Sequence, residues 1–384
     1  MDKKFMKPEK KRVFLACVVL AALLLVIGIL RMNDGRRQAE SAGERSVETL
    51  ITAYGRKQKD LRLTTAVITG SQVEIRGYGA EGAQKLSVTE EISAGSVPEI
   101  PAGGGGELDA EYAGFFKAYE LGSLSKTFVG ALFGKYVSEG KLSLSDPVSR
   151  YIDFGGKYDP TLLELLTHTS AYEDYRTNGF IQMAKYRLGK NPYGGISSER
   201  VPVFMRRFST GQKGPYSYSF SNFGYAVLGK VVEEVEGRPF SEVMMDFISE
   251  DLGLPDTGFS FDSPPDRGWS WQQDDAFLPA AGLSGDVTDL AAYVRLFFRD
   301  QLDEGRTLSI TPQKKAEGSA QSGLGWGIRP DGIVGHGGET SRYSCQILFD
   351  SEKSQAVIVL SNHGEENGIS VSEIAETLYG EAFE

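Results

Sequence analysis

An α+β fold is predicted: one antiparallel sheet built from both ends of the chain, flanked by helices, with a mostly helical lobe inserted between. Three observations predict it. Short strand-like runs occur early, at 63–68 and 72–77. Alternating or β-branched apolar runs recur late, at 344–349 and 356–360. Apolar residues at helical spacing fill much of the interval, most clearly after residue 123.

The elements follow in order. The first 12 residues carry Lys3, Lys4, Lys7, Lys10, Lys11 and Arg12, and residues 13–30 hold no charge. That is the length of a short membrane span behind a cytoplasmic basic tail. The polar, bulky Arg31-Met32-Asn33-Asp34 offers no A-x-A-like cleavage site. Cys17 opens the apolar run, whereas a lipid-modified cysteine would close it. The expectation is a single-pass membrane protein: tail 1–12, uncleaved signal anchor 13–30, linker 31–60 with one helix near 46–59, and an extracytoplasmic domain at 61–384.

The first two strands flank Thr69-Gly70-Ser71 and read as a hairpin. Residues 92–110, with Pro98, Pro101 and four glycines at 103–106, read as a loop. Helices are predicted from 123 onward and at 225–235, 287–299 and 370–379. Strand and turn are predicted at 323–328 and 332–335. No internal repeat occurs.

Composition sets limits. A chain of 384 residues, 40% hydrophobic and 24% charged, suits a large core in one domain of two subregions. A net charge of −11 argues against nucleic acid as a partner. The two cysteines, Cys17 and Cys345, lie in different regions, so no disulfide is expected. Cys345 reads as a core residue. The three histidines, His168, His336 and His363, have no metal-ligand spacing, and no metal or other cofactor is expected.

Chemistry points to Glu120-Leu121-Gly122-Ser123-Leu124-Ser125-Lys126-Thr127-Phe128. Ser123 and Lys126, three residues apart, share a helix face. A serine hydroxyl attacks well only when a base takes its proton, and a lysine serves when burial or nearby positive charge lowers its pKa. Leu124, Phe128, Leu132 and Tyr136 form an apolar stripe widened by Val129, Phe133 and Val137. Ser123 and Lys126 lie off it, on the side of Gly130 and Gly134, where another backbone can approach. Taken alone, the pair also fits a helix N-cap serine and a surface lysine.

The surrounding phrases decide between these. The motif resembles the nucleophile motif of serine β-lactamases and penicillin-binding proteins, above all the class C branch with its esterases and D-amino-acid peptidases. Further phrases resembling that branch follow in its order. They are Gly140-Lys141-Leu142-Ser143-Leu144-Ser145-Asp146-Pro147-Val148, Leu165-Leu166-Thr167-His168-Thr169-Ser170, Phe220-Ser221-Asn222-Phe223-Gly224-Tyr225, Leu252-Gly253-Leu254, Ala281-Gly282-Leu283 with Asp289-Leu290, and His336-Gly337-Gly338. Ala171 stands where the branch has a glycine. The resemblance covers roughly 61–384 and implies a β-lactamase/transpeptidase-like fold with the site between its lobes. His336-Gly337-Gly338 also resembles the oxyanion loop of α/β-hydrolases, but no G-x-S-x-G serine accompanies it.

The resemblance implies roles. Ser123 would be the nucleophile, and its backbone N–H and that of Glu339 the oxyanion donors. Lys126 would deprotonate Ser123. Asn222 would hold the lysine and the substrate amide; it also fits an ordinary helix N-cap. His336 would polarise the site or bind a substrate carboxylate, and Gly337 and Gly338 would let the strand approach the substrate. His168 reads as structural. Phe220 departs from the pattern, standing where the family has a tyrosine that acts as base and leaving-group acid. In an extended segment Tyr218 points the same way, so it either supplies the missing phenol or packs in the core.

Two functions are compatible with this. One is a membrane-anchored serine hydrolase, working through an acyl-serine on a β-lactam, a D-amino-acid peptide, a peptidoglycan stem or an ester. The other is a catalytically impaired penicillin- or peptidoglycan-binding protein of the same fold. The partners expected are a small-molecule or peptide substrate, the cell wall and, through the N-terminal helix, the membrane.

Overall fold

Strands from the two ends of the sequence meet in the middle of a nine-stranded antiparallel sheet. The computed structural model describes residues 45–91, 113–172, 179–208, 217–316, 318 and 320–384. The strands are β1 (Leu63–Thr69), β2 (Gln72–Tyr78), β3 (Gln84–Glu91), β4 (Tyr119–Glu120), β5 (Gly258–Phe259), β6 (Leu283–Gly285), β7 (Lys314–Lys315), β8 (Gln321–Ser322), β9 (Gly327–Ile328), β10 (Val334–Glu339), β11 (Ser344–Asp350) and β12 (Gln355–Ser361). The large sheet runs β3-β2-β1-β12-β11-β10-β9-β8-β7, and β4-β6-β5 form a small second sheet. β1 pairs with β12 from Leu63↔Ser361 to Thr69↔Gln355, so the early hairpin and the late one share one ladder.

Period-two alternation sends the sheet's residues into two cores. Val357 and Val359 face one side, where Leu50, Ile51 and Tyr54 of helix Val47–Tyr54 and Ile374, Ala375 and Leu378 of helix Val371–Phe383 cover them. Ala356, Ile358 and Leu360 face the other, larger core shared with the helical lobe.

Helix Val47–Tyr54 falls where one helix was expected, near 46–59, but it is part of the folded unit rather than of a linker. Its Val47, Leu50, Ile51 and Tyr54 are buried, and the compact unit begins at Val47 rather than at 61. An eight-residue amphipathic stretch folds here because the sheet and the last helix supply the apolar surface it needs. The tail and span expected at 1–30, and the loop at 92–110, lie outside the described residues. Among the described residues no helix is long and apolar enough to cross a membrane.

Helix Ser125–Ser138 is the centre of the helical side. The helix is buried nearly all round, from Ser125 to Gly134, on the expected stripe and on the glycine side where a second backbone was expected to approach. Its glycines are the reason. A Cβ on Gly130 would collide with the Leu324 carbonyl, and one on Gly134 with that of Gly305, so a second backbone covers the face opposite the apolar stripe.

Candidate active site

The turn that carries Ser123 is made by backbone constraints. Gly122 adopts φ +48°, and a Cβ there would lie 2.8 Å from the Glu339 nitrogen. On the facing strand a Cβ on Gly338 would strike the Leu121 carbonyl oxygen. The two motifs therefore approach backbone to backbone. Gly122–Leu124 form a 3-10 turn that runs directly into helix Ser125–Ser138, and the Ser123 N–H precedes the first bonded amide, Leu124 N–H to the Leu121 carbonyl.

β10 offers its edge to this turn. β9 pairs with it only at Val334 and Gly335. Thr340 N–H donates to the Tyr343 carbonyl and Arg329 N–H to that of Ile333. Antiparallel alternation from these pairs turns the backbone groups of Gly337 and Glu339 away from β11, toward Ser123. The Glu339 backbone thus lies against the turn that carries Ser123.

Lys126 is fully buried, and its Nζ has three oxygen neighbours: Asn222 Oδ1 at 2.7 Å, the Ala280 carbonyl at 2.8 Å and Ser123 Oγ at 3.0 Å. Asn222 Oδ1 and the carbonyl can only accept. Of these three oxygen neighbours, Ser123 Oγ is the one whose group can also donate, so a proton can pass between Ser123 Oγ and Lys126 Nζ.

Asn222 is not the helix cap. Ser221 caps helix Asn222–Glu236, accepting from Gly224 N–H at 3.0 Å. Asn222 is thereby released toward Lys126, and its Nδ2 donates to the Tyr193 hydroxyl at 2.9 Å. Sequence reasoning missed both Tyr193 and the Ala280 carbonyl. The signal for Tyr193 was a phenol in the Pro/Gly-rich Asn191-Pro192-Tyr193-Gly194-Gly195 loop.

Phe220 stands over the amine, with Lys126 Nζ 4.8 Å from its ring centroid; the Tyr225 ring lies at 5.4 Å. Phe220 is 40% exposed and lines the cleft. Tyr218 does point the same way: both rings contact His168, Phe220 at 4.7 Å and Tyr218 edge-on at 5.6 Å. His168 is a buried wedge whose Nδ1 accepts from Ser221 N–H at 3.1 Å, fixing the turn before Asn222. Burial, then the charge of Lys126, pushes it well below its usual pKa.

His336 lines the same cleft. Burial and the nearby Lys126 push its pKa down to about 4, so it is neutral at pH 7. Its Nδ1 faces the Gly337 carbonyl at 2.5 Å and therefore carries the proton, which leaves Nε2 an acceptor. A neutral ring carries no charge to offer a substrate carboxylate. Gly337 and Gly338 lie beside Ser123 in the cleft. Cys345 is buried, bonds the Leu121 carbonyl, and its thiol is pushed up to about 12 by burial. Among the described residues no cluster suits a metal.

A β-lactamase family model matches residues 113–378, which span this whole arrangement. The chain belongs to the β-lactamase family. It is similar to a D-aminopeptidase of Brucella anthropi, 25% identical over 262 residues that cover 62% of this chain and 48% of the relative. It is also similar to a putative penicillin-binding protein of Bacillus subtilis, 24% identical over 277 residues, 68% of this chain and 66% of the relative. The chain thus spans about half to two thirds of the length of these curated relatives. Among solved structures, an octameric penicillin-binding protein homologue from Pyrococcus abyssi has a TM-score of 0.64 at 22% identity, covering 88% of this chain and 76% of that one. A class C β-lactamase has a TM-score of 0.64 at 19% identity, covering 88% and 95%. The fold is therefore β-lactamase/transpeptidase-like, as expected.

Proposed function

We propose that this β-lactamase-family protein is a serine hydrolase that works through an acyl-serine. One observation carries the reading: Lys126 Nζ sits 3.0 Å from Ser123 Oγ, held there by Asn222 Oδ1 and the Ala280 carbonyl. Lys126 takes the Ser123 proton as Oγ bonds to the substrate carbonyl carbon. The resulting oxyanion is held by the Ser123 and Glu339 amides. Collapse breaks the bond to the leaving group, which departs with the proton from Lys126. Water then attacks the acyl carbon, releases the acid and restores Ser123. Relatives named as a D-aminopeptidase, β-lactamases and a teichoic acid D-alanine hydrolase support carbonyl substrates of the amide, lactam and ester classes. The basic tail and uncharged run at 1–30 support a membrane anchor with the domain outside the cytoplasm.

A second reading rests on Phe220. A protein that acylates but deacylates slowly would bind rather than turn over its ligand. Intact mass after incubation with a penicillin or a fluorophosphonate tests the first reading. An adduct on Ser123, lost in Ser123→Ala with the fold intact, supports it; an alanine variant that keeps its activity refutes it.

A further inference from the structure

Three consecutive residues ahead of Ser123 meet the end of β10 one after another. Glu120 bonds Thr340, the Leu121 carbonyl fills the place of a Cβ on Gly338 and accepts from the Cys345 thiol at 3.4 Å, and Gly122 lies against Glu339. The second and third contacts are close approaches that glycine permits. The first is made by a buried carboxylate to which the reaction steps above assign nothing. Glu120 is 4% exposed and ends β4, where it pairs with Ser284. Its Oε2 accepts from the Thr340 hydroxyl at 2.6 Å and its Oε1 from the Trp269 N–H. Burial raises its pKa, and these two hydrogen bonds act against that rise.

Both oxygens meet groups that have to donate. The Trp269 amide can do nothing else. Thr340 Oγ1 already accepts from the Tyr343 N–H at 3.1 Å, which leaves its own hydrogen for Glu120. A carboxylate fits this place and a carboxamide does not, since a glutamine would turn its NH2 toward one of two donors. Among the described residues no cation pairs with Glu120, so no ion pair offsets its desolvation. What the carboxylate does is local. Thr340 follows Glu339 directly and closes the turn into β11, its N–H donating to the Tyr343 carbonyl at 2.8 Å. Trp269 grips the next residue too, its indole N–H donating to Ser341 Oγ. Glu120 thus fastens the strand that leads into Ser123 to the residues just after Glu339, once directly and once through Trp269.

Resting on the serine-hydrolase reading above, we infer that Glu120 is a positioning residue for the oxyanion: through Thr340 it sets the distance between the Glu339 N–H and the turn that carries Ser123. An oxyanion donor is effective only when it is fixed before the charge develops, and a side chain that touches no substrate can fix it. A fluorophosphonate tests this on the full chain. Ser123 Oγ bonds to phosphorus, the P–F bond breaks, fluoride leaves and Lys126 takes the serine proton. The phosphoryl oxygen then stands where the oxyanion would. Two quantities are read. One is the labelling rate, at saturating and at limiting reagent. The other is the phosphorus NMR resonance of the adduct, whose position follows hydrogen bonding to the phosphoryl oxygen.

Glu120→Gln and Thr340→Val should each slow saturating labelling by roughly tenfold or more, short of the loss of a whole oxyanion donor. The half-saturating concentration should change by less than about twofold. The phosphorus resonance should move toward its position in the unfolded adduct. Thr340→Ser, which keeps the hydroxyl, should stay near the parent in both readings. The double variant of Glu120→Gln and Thr340→Val should be about as slow as either single one, because both act through one hydrogen bond. Variants that fold, label at the parental rate and leave the resonance unmoved overturn the inference, as does a loss confined to unfolding free energy. If Glu120→Gln does not fold, Thr340→Val decides on the same two readings. If the reagent labels Ser123 in the parent and the variants match it, only the positioning role falls. If Ser123 is not labelled in the parent, the hydrolase reading fails and this inference falls with it.

Discussion

The Phe220 ring lies over Lys126, its centroid 4.8 Å from Nζ, at the position where the motif that this chain resembles has a tyrosine. The ring keeps the shape of the site and shields the amine. It offers no oxygen to carry a proton to a leaving group or from a water. On the proposed mechanism acylation would still have Lys126 as its base, while the later attack by water would lack a phenol at this position.

Acylation should therefore outpace deacylation, and a long-lived acyl-enzyme should accumulate. Phe220→Tyr should raise turnover by roughly 10²-fold or more, read as the decay of labelled protein by mass. Tyr218→Phe tests whether the phenol beside His168 is in use. Fast turnover by the unmodified protein, with no change in Tyr218→Phe, would mean that another base operates.

Tyr193 should act through Asn222. By accepting from Nδ2 it keeps Oδ1 turned to Lys126. Tyr193→Phe should lower the acylation rate by about two- to tenfold, the worth of one hydrogen bond. The unfolding free energy should change by no more than about 1 kcal/mol, and stopped-flow labelling rates at saturating and limiting reagent locate the loss.

Ala171 adopts φ +53°, in the left-handed region that suits glycine, at the end of the phrase where the family has one. Ala171→Gly should relieve strain of ~1–2 kcal/mol, less the greater entropy of an unfolded glycine, for a net gain of about 0.5–1 kcal/mol. Urea unfolding should show a higher midpoint at unchanged slope.

Asp289 is buried in helix Val287–Arg295 beside Asp286, and its Oδ2 accepts from Asp256 N–H at 2.8 Å. Burial raises its pKa from 3.8 to about 6. The folded state thus holds this proton more tightly than the unfolded one. Stability from the group is present below 3.8 and is lost as pH rises through 6. Asp289→Asn should match the parent near pH 4 and exceed it at pH 8 by about 2–3 kcal/mol, in urea unfolding at both pH values.

The proposed anchor at 13–30 predicts that protease added to intact spheroplasts digests the domain and spares cytosolic proteins. Protection of the domain would reverse the topology.

The legible parts of the site were those where chemistry demands a particular side chain. Ser123, Lys126, Asn222 and His336 announced themselves by type and order, and the structure brings them to one cleft. The Ala280 carbonyl did not, because every residue owns one. Tyr193 did not, because its loop closes on Asn222 only in the fold. In the sheet, β1, β2, β11 and β12 were visible by alternation. β3 was not: its exposed face carries Lys85, Ser87 and Glu91, the polar dress of an edge strand. β10 was hidden by its three glycines, which read as turn but serve close approach.

The contact of Gly122 with Glu339 and of Gly338 with Leu121 leaves the carbonyl-binding end of the cleft without a hinge. Two main chains touch there with no side chain between them to repack, so that end cannot breathe independently of the sheet. On heating, Ser123 should keep its ability to take up a covalent label until the whole domain melts.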